Sequence, residues 1–155
     1  VRMSIGKTPA RGEVSYWSQA TIPWVSISDM TNSEYINKTK EEISVAASSV
    51  MGEISPVGSL LMSFKLTVGR TSILNIDAYH NEAIISIYPF IDDKYALRDY
   101  LFYTLPFLSN MGDSKDAIKG KTLNSKSLKS LLIPLPPLRE QRCIINRLEE
   151  LYAHL

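Results

Sequence analysis

The segment "IPLPPLREQRCIINRLEEL", Ile133 to Leu151, constrains the fold more than any other stretch of the chain. A residue that precedes proline is pushed out of the helical region, so "LLIPLPP" must run extended. Pro137 then falls near the first turn of the last helix, where its missing N–H is tolerated. Beyond it Gln141, Ile144, Leu148, Leu151 and Leu155 recur at steps of three and four, the a/d seam of a coiled coil. The other side carries Arg142, Asn146, Glu149, Glu150 and Ala153. A single amphipathic helix at the end of a domain more often packs on its own core. Here the prolines direct the chain away before the helix begins and the seam is still open at Leu155, so the helix is expected to leave as an arm that takes a partner.

The chain ahead of the arm is long enough for one domain. A chain of 155 residues buries roughly 68–70% of its unfolded surface, enough for a core without staples. Residues 1–132 are read as that domain and 133–155 as the proline-led helix. The single cysteine, Cys143, cannot form an internal disulfide, which fits a reducing cytoplasm and gives no support to a zinc site. "VRMSIGKTPARGE" lacks the apolar core of a signal peptide, and "AIISIYPFI" is too short to span a bilayer, so no membrane role is expected.

Periodicity predicts an α+β fold built on a mixed, curled sheet. "ATIPWVSISDM" reads as a strand from about Ile22 to near Asp29, and Ser44 as the N-cap of a short helix in "VAASSVM". "SLLMSFKLTV" alternates, with Leu60, Met62, Phe64 and Leu66 on a buried face and Ser59, Leu61, Ser63, Lys65 and Thr67 on the other. A turn at Gly69-Arg70 leads into "TSILNI", and "AIISIYPF" comes next as a third strand apolar on both faces, the three forming a curled meander. "DKYALRDYLFYTLPFL" reads as an amphipathic helix, with Tyr95, Leu101, Phe102 and Leu105 on its face, until Pro106 interrupts it. "SNMGDSKDAIKGKT" reads as a surface loop, with Asn124 capping a short helix in "SKSLKSLL".

The formal net charge of +1 says nothing about nucleic acid, but its distribution is uneven. Ile54–Ile76 holds Lys65 and Arg70 and no acid, and Ala117–Arg139 holds Lys119, Lys121, Lys126, Lys129 and Arg139 and no acid. Such runs are as often plain solvated faces. Catalytic readings fare worse. Pro136-Pro137 is flanked by Leu135 and Leu138, which offer neither the amide nor the stacking ring that base extraction needs, and there is no glycine-rich cofactor loop. Asp113-Ser114-Lys115 resembles half of a metal-dependent phosphodiesterase site without the upstream acid. His80, in an expected turn, and His154, on the helix, have no Ser, Cys or Asp partner at a recognisable spacing.

"LLIPLPPLREQRCIINRLEEL" resembles the spacer entry of the specificity (S) subunits of type I restriction-modification systems, where such a proline run and a Glu-Gln pair open a long helix. Other blocks are similar in the same order: "SIGKTPARGEVSYW", "IPWVSISDM", "NKTKEEIS", "VGSLLMSFKLTVGRTSI", "NEAIISIYP" and "LRDYLFYTL". The resemblance implies a target recognition domain with one conserved spacer helix after it. In that family two such units share a chain, each domain reads one half of a bipartite DNA sequence, and the two helices pack antiparallel as a ruler. This chain holds one unit and a helix of roughly 19 residues, about 28 Å, so an excised, truncated fragment or a half-subunit that pairs with a second copy is expected.

The function so implied is sequence-specific binding of double-stranded DNA without catalysis. Expected partners are the methyltransferase (modification) subunits, through them the restriction subunit, and a second copy or second half met through the helix. No cofactor belongs to this chain, since the methyl donor and ATP go with the other subunits. Lysines and arginines fix register on phosphates while polar side chains read base edges. The candidates are Lys7, Arg11, Tyr16 and Trp17 in the N-terminal segment, Lys65 and Thr67 on the exposed side of the hairpin strand with Arg70 at its turn, and Lys119, Lys121 and Lys126 in the second acid-free run. Helix pairing is expected through Gln141, Ile144, Leu148, Leu151 and Leu155. The alternative is a protein-interaction module that docks methyltransferase subunits, or dimerises, without reading sequence.

Overall fold

The computed structural model describes residues 1–30, 34–65, 67–111 and 128–154. Lys119, Lys121, Lys126, Leu155, Asp113-Ser114-Lys115 and the Asn124 cap lie outside them. The elements in chain order are β1 (Arg2–Ile5), α1 (Val14–Trp17), β2 (Ile22–Val25), a 3-10 turn (Ile27–Met30), β3 (Tyr35–Ile36), β4 (Glu41–Ile43), α2 (Val45–Ser48), β5 (Leu60–Ser63), β6 (Thr71–Leu74), β7 (Tyr79–His80), β8 (Ile84–Tyr88), a second 3-10 turn (Asp93–Tyr95), α3 (Ala96–Met111) and α4 (Leu138–Tyr152). The fold is α+β, as its sequence pattern predicts.

The sheet is not a single meander. A five-stranded sheet runs β1-β8-β5-β6-β3 and a three-stranded one β4-β2-β7, with parallel pairing at β3–β6 and β2–β7 and antiparallel pairing elsewhere. β8 lies on the side of β5 away from β6, so β5 is central. A central strand is buried on both faces, which corrects the one-sided reading of "SLLMSFKLTV". Leu60, Met62 and Phe64 join Ile73, Ile85, Leu101 and Leu105 in one core, while Leu61 joins Val25, Leu74 and Ile84 in a second. The strand ends at Ser63, which puts Lys65 and Thr67 in the turn rather than on an exposed strand face. The strand expected from Ile22 to Asp29 likewise ends at Val25 and gives way to the first 3-10 turn.

Ser44 caps α2 as its position predicts, its side chain accepting from the Ala47 N–H at 3.2 Å. α3 starts after the second 3-10 turn and continues through Pro106 to Met111. Proline removes the N–H that would bond the carbonyl four residues back, and here that carbonyl, of Phe102, accepts instead from the Thr71 hydroxyl at 2.9 Å. The helix therefore survives the residue expected to end it. Leu101 and Leu105 are buried and Phe102 packs beside them, but Tyr95 precedes the helix and is exposed.

α4 corrects the expectation of a free arm. The proline run is fastened to α3 by the Tyr100 hydroxyl, which donates to the Pro134 carbonyl at 2.8 Å, and α4 lies along α3. Its domain-facing side carries the buried Gln141 and Ile145, and Tyr152 stacks on Tyr103 with ring centroids 6.0 Å apart. Arg142 pairs with Asp93 at 2.5 Å. Ile144 and Leu148 are only partly covered and Leu151 is 50% exposed, a second stripe about one residue round the helix from the first. Among the described residues no helix is long and apolar enough to cross a membrane.

Candidate nucleic-acid interface

Strand register brings separated candidates to one end of the five-stranded sheet. β1 leaves the sheet at Ile5, paired with Ile85 near the start of β8, and β5 leaves at Ser63, paired with Ile84. The chain ends then converge on residues 80–84: the Gly6 N–H donates to the Ile84 carbonyl at 3.1 Å, the Lys7 N–H to the His80 carbonyl at 2.8 Å, and the Phe64 N–H to the Ala83 carbonyl at 2.9 Å. Gly6 permits this approach, because a Cβ there would stand 2.1 Å from the His80 carbonyl oxygen. Lys7, Lys65, Thr67 and Arg70 thus share one end of the sheet although 63 residues of sequence separate the first from the last.

The β5–β6 turn that carries three of them is tightly held. The Ser63 hydroxyl donates to the Thr67 carbonyl and accepts from the Arg70 N–H at 3.2 Å, and Gly69 takes φ +86°. A side chain at Gly69 would collide with Ser109 of α3, its Cβ falling 2.0 Å from Oγ, so the turn is clamped between sheet and helix. Lys65 sits with Nζ 5.4 Å from the Phe64 ring centroid, and among the described residues no carboxylate comes within 4.0 Å of it. Thr67 is exposed.

Lys7 is exposed, with its Nζ donating to the Val50 carbonyl at 2.7 Å, and the rest of the N-terminal segment is braced more fully. Arg11 lies 3.9 Å over the Trp17 ring and bonds both oxygens of Glu41, at 2.5 and 3.0 Å. The pairing raises the Arg11 pKa and holds the Glu41 carboxyl below its ordinary value. Trp17 meets Trp24 edge-on at 5.4 Å, and with Tyr16 packs against the third core of Trp24, Ile43 and Ala47. The two indole N–H groups donate to the Ala10 and Lys7 carbonyls. A shallow cleft of about 590 Å³ opens beside this latch, lined also by Thr39, Lys40 and Glu42. The charge and the cation–π contact of Arg11 are thus both engaged within the chain.

Residues 3–155 match the family model described as the type I restriction modification DNA specificity domain. The chain belongs to this family. The specificity domain is 28% identical over 145 residues to the type I restriction enzyme MjaIX specificity subunit of Methanocaldococcus jannaschii, covering 90% of this chain and 33% of that protein. It is also 28% identical over 136 residues to the HindI specificity subunit of Haemophilus influenzae, covering 84% and 29%. The chain thus spans about a third of the length of these relatives. Its fold matches that of the HsdS subunit from Thermoanaerobacter tengcongensis, with a TM-score of 0.66 at 23% identity over 99% of this chain and 35% of the other. A chain from a type I R-M system, described for its complex assembly and conformational transition, matches with a TM-score of 0.67 at 23% identity over 98% and 36%.

Two groups, one in the cleft beside Arg11 and one at the basic end of the sheet, escaped sequence reasoning. Lys40 lines the cleft, its N–H donating to Asp29 Oδ1 at 2.9 Å and its Nζ to the Ser28 carbonyl at 3.3 Å. Glu82 is exposed amid the cations and accepts from the Thr8 hydroxyl. That hydrogen bond, chiefly, and the charges of Lys65 and Arg11 keep its carboxyl below the ordinary value. No linear motif marks either residue, since strand pairing alone brings Thr8, Lys65 and Glu82 together. His80, expected in a turn with no Ser, Cys or Asp partner at a recognisable spacing, is instead buried at the end of β7 with Nε2 2.6 Å from Ser86 Oγ. Both groups are closed to solvent, so this Ser–His pair has no access to a substrate.

Proposed function

We propose that this specificity domain binds duplex DNA sequence-specifically in the cytoplasm, reads one half of a bipartite target and performs no chemistry itself. The observation that carries the reading is the convergence of Lys7, Lys65, Thr67 and Arg70 on one end of the sheet, in a chain of this family. Lysine and arginine there neutralise phosphates and release counterions, while Thr67 and its neighbours meet base edges. The modification subunits, and through them the restriction subunit, are the protein partners of this reading. Ile144, Leu148 and Leu151 form the stripe of α4 that meets a second helix, from a second copy or the other half of a longer chain, and so sets the gap between half-sites.

Binding of a random duplex pool, monitored by fluorescence anisotropy across salt concentrations, tests the first part. Removing two phosphate contacts in a Lys7→Glu, Lys65→Glu variant is expected to weaken binding and reduce the slope of log K against log salt by roughly 2. Salt-independent affinity shared by wild type and variant would overturn it. Absence of duplex binding with retained capture of modification subunits would favour the protein-interaction module instead. Sedimentation across concentration, beside a Leu148→Glu, Leu151→Glu variant, tests the helix: a dimer lost in the variant supports pairing, and a monomer in both opposes it.

A further inference from the structure

A carboxylate at a surface that faces phosphates needs an explanation. Glu82 sits where the ends of β1, β5 and β8 converge, within the field of Lys65 and Arg11, and is exposed. Yet among the described residues it forms no ion pair within 4.0 Å, and Arg11 is already held by both oxygens of Glu41. Its side-chain partner is the Thr8 hydroxyl, which donates to Oε2, and its own backbone N–H contributes a further bond. An ionised carboxylate offers about four acceptor positions, so acceptor capacity remains. The side chain is positioned by Thr8 and stays charged without being neutralised.

We infer that Glu82 is a specificity-determining residue that accepts a hydrogen bond from the exocyclic amino group of a cytosine in the major groove. A carboxylate can only accept, which restricts it to the two base amines exposed there, of cytosine and adenine. Adenine presents its N7 acceptor beside the amine and repels a second acceptor, whereas cytosine offers its N4 donor without one. Lys65, whose charge acts on Glu82, and Lys7 at the same end of the sheet supply the phosphate contacts that bring a negatively charged side chain against DNA. Thr8 is a positioning residue, fixing one carboxylate oxygen so that less side-chain freedom is lost on binding.

The inference rests on the DNA-reading function proposed above, and the test separates the two. Duplexes bound by the 155-residue chain are selected from a random pool and sequenced for wild type, Glu82→Gln, Glu82→Ala and Thr8→Ala. Support is a wild-type motif with one cytosine position whose enrichment falls on the order of 10-fold in Glu82→Ala, and that shifts toward adenine in Glu82→Gln, because an amide pairs with adenine N6 and N7. The remaining positions and the affinity for non-specific duplex stay at wild-type values. Thr8→Ala keeps the same cytosine with weaker enrichment. Uniformly tighter binding by Glu82→Ala with an unchanged motif would overturn the inference and make Glu82 a repulsive charge, while leaving the DNA reading intact. A wild-type pool without any motif would overturn both. Thermal melting of each variant identifies loss of fold, and should Glu82→Ala not fold, the cytosine-to-adenine shift in Glu82→Gln decides alone.

Discussion

His80 Nε2 lies 2.6 Å from Ser86 Oγ, deep between the two sheets, and the hydrogen-bonded chain continues from Ser86 to Ser55 at 2.5 Å and on to the Tyr88 hydroxyl at 3.0 Å. Among the described residues no carboxylate joins it. His80 is 4% exposed, and burial pushes its pKa down from 6.5 to about 4, so the neutral ring belongs to the folded state.

Burial of a neutral histidine gives stability a definite dependence on pH. The unfolded chain binds a proton at His80 near pH 6.5 and the folded chain near pH 4, so stability is complete above 6.5 and is lost as pH falls through that window. The loss is about 3 kcal/mol, from about 1.36 kcal/mol per pKa unit. Denaturant unfolding at pH 7, 5.5 and 4 measures it. A His80→Gln variant, which keeps a donor and acceptor but does not titrate, is expected to show a flatter profile between pH 6.5 and 4.5.

Gly69 carries φ +86° and abuts Ser109, so Gly69→Ala faces both backbone strain and a clash. A loss of about 2–4 kcal/mol is expected, read as a melting temperature lower by roughly 5–12 °C. If the melt is unchanged, the turn is not clamped between β5, β6 and α3 as described.

The Arg11–Trp17 latch is expected to contribute more through packing than through charge. Trp17→Ala removes an indole packed on Trp24 and is expected to cost about 2–3 kcal/mol in denaturant unfolding. Glu41→Gln breaks an exposed ion pair and is expected to cost under about 1 kcal/mol. A larger loss in Glu41→Gln than in Trp17→Ala would reverse that ranking.

The two stripes of α4 are expected to separate by mutation. Ile145→Ala opens a void against α3 and is expected to cost about 2–4 kcal/mol, whereas Leu151→Glu, at a half-exposed site, is expected to stay within about 0.5 kcal/mol. Parallel thermal melts of the two variants distinguish them.

Local chemistry was the legible part of this fold. The Ser44 cap, the glycine turn before β6 and the extended proline run each depend on a few adjacent residues, and each stands where its sequence pattern predicts. Burial of polar residues was not legible. Ser63 and Ser86 alternate with apolar residues as solvent-facing positions do, yet both are buried, Ser63 bonded to its own turn and Ser86 to His80. Ile144 and Ile145 are adjacent, so heptad spacing selects the first while contact with α3 selects the second. Pro106 reads as a helix stop because its rescuer, Thr71, lies 35 positions away. At the candidate interface Lys65 and Arg70 showed themselves as an acid-free run, but Glu82 became visible only once three strand ends were brought together.

The Tyr100–Pro134 and Gln141–Pro136 hydrogen bonds fasten the root of α4, and leverage makes that fastening matter. A helix of 15 residues is about 22 Å long, so a 10° error at its root would swing the tip by about 4 Å. On the function proposed, that swing is comparable to the rise of one base pair, about 3.4 Å. Two hydrogen bonds to proline carbonyls would then serve as the alignment pins of a molecular caliper, and loosening either would blur the distance it measures before it weakened the grip at either jaw.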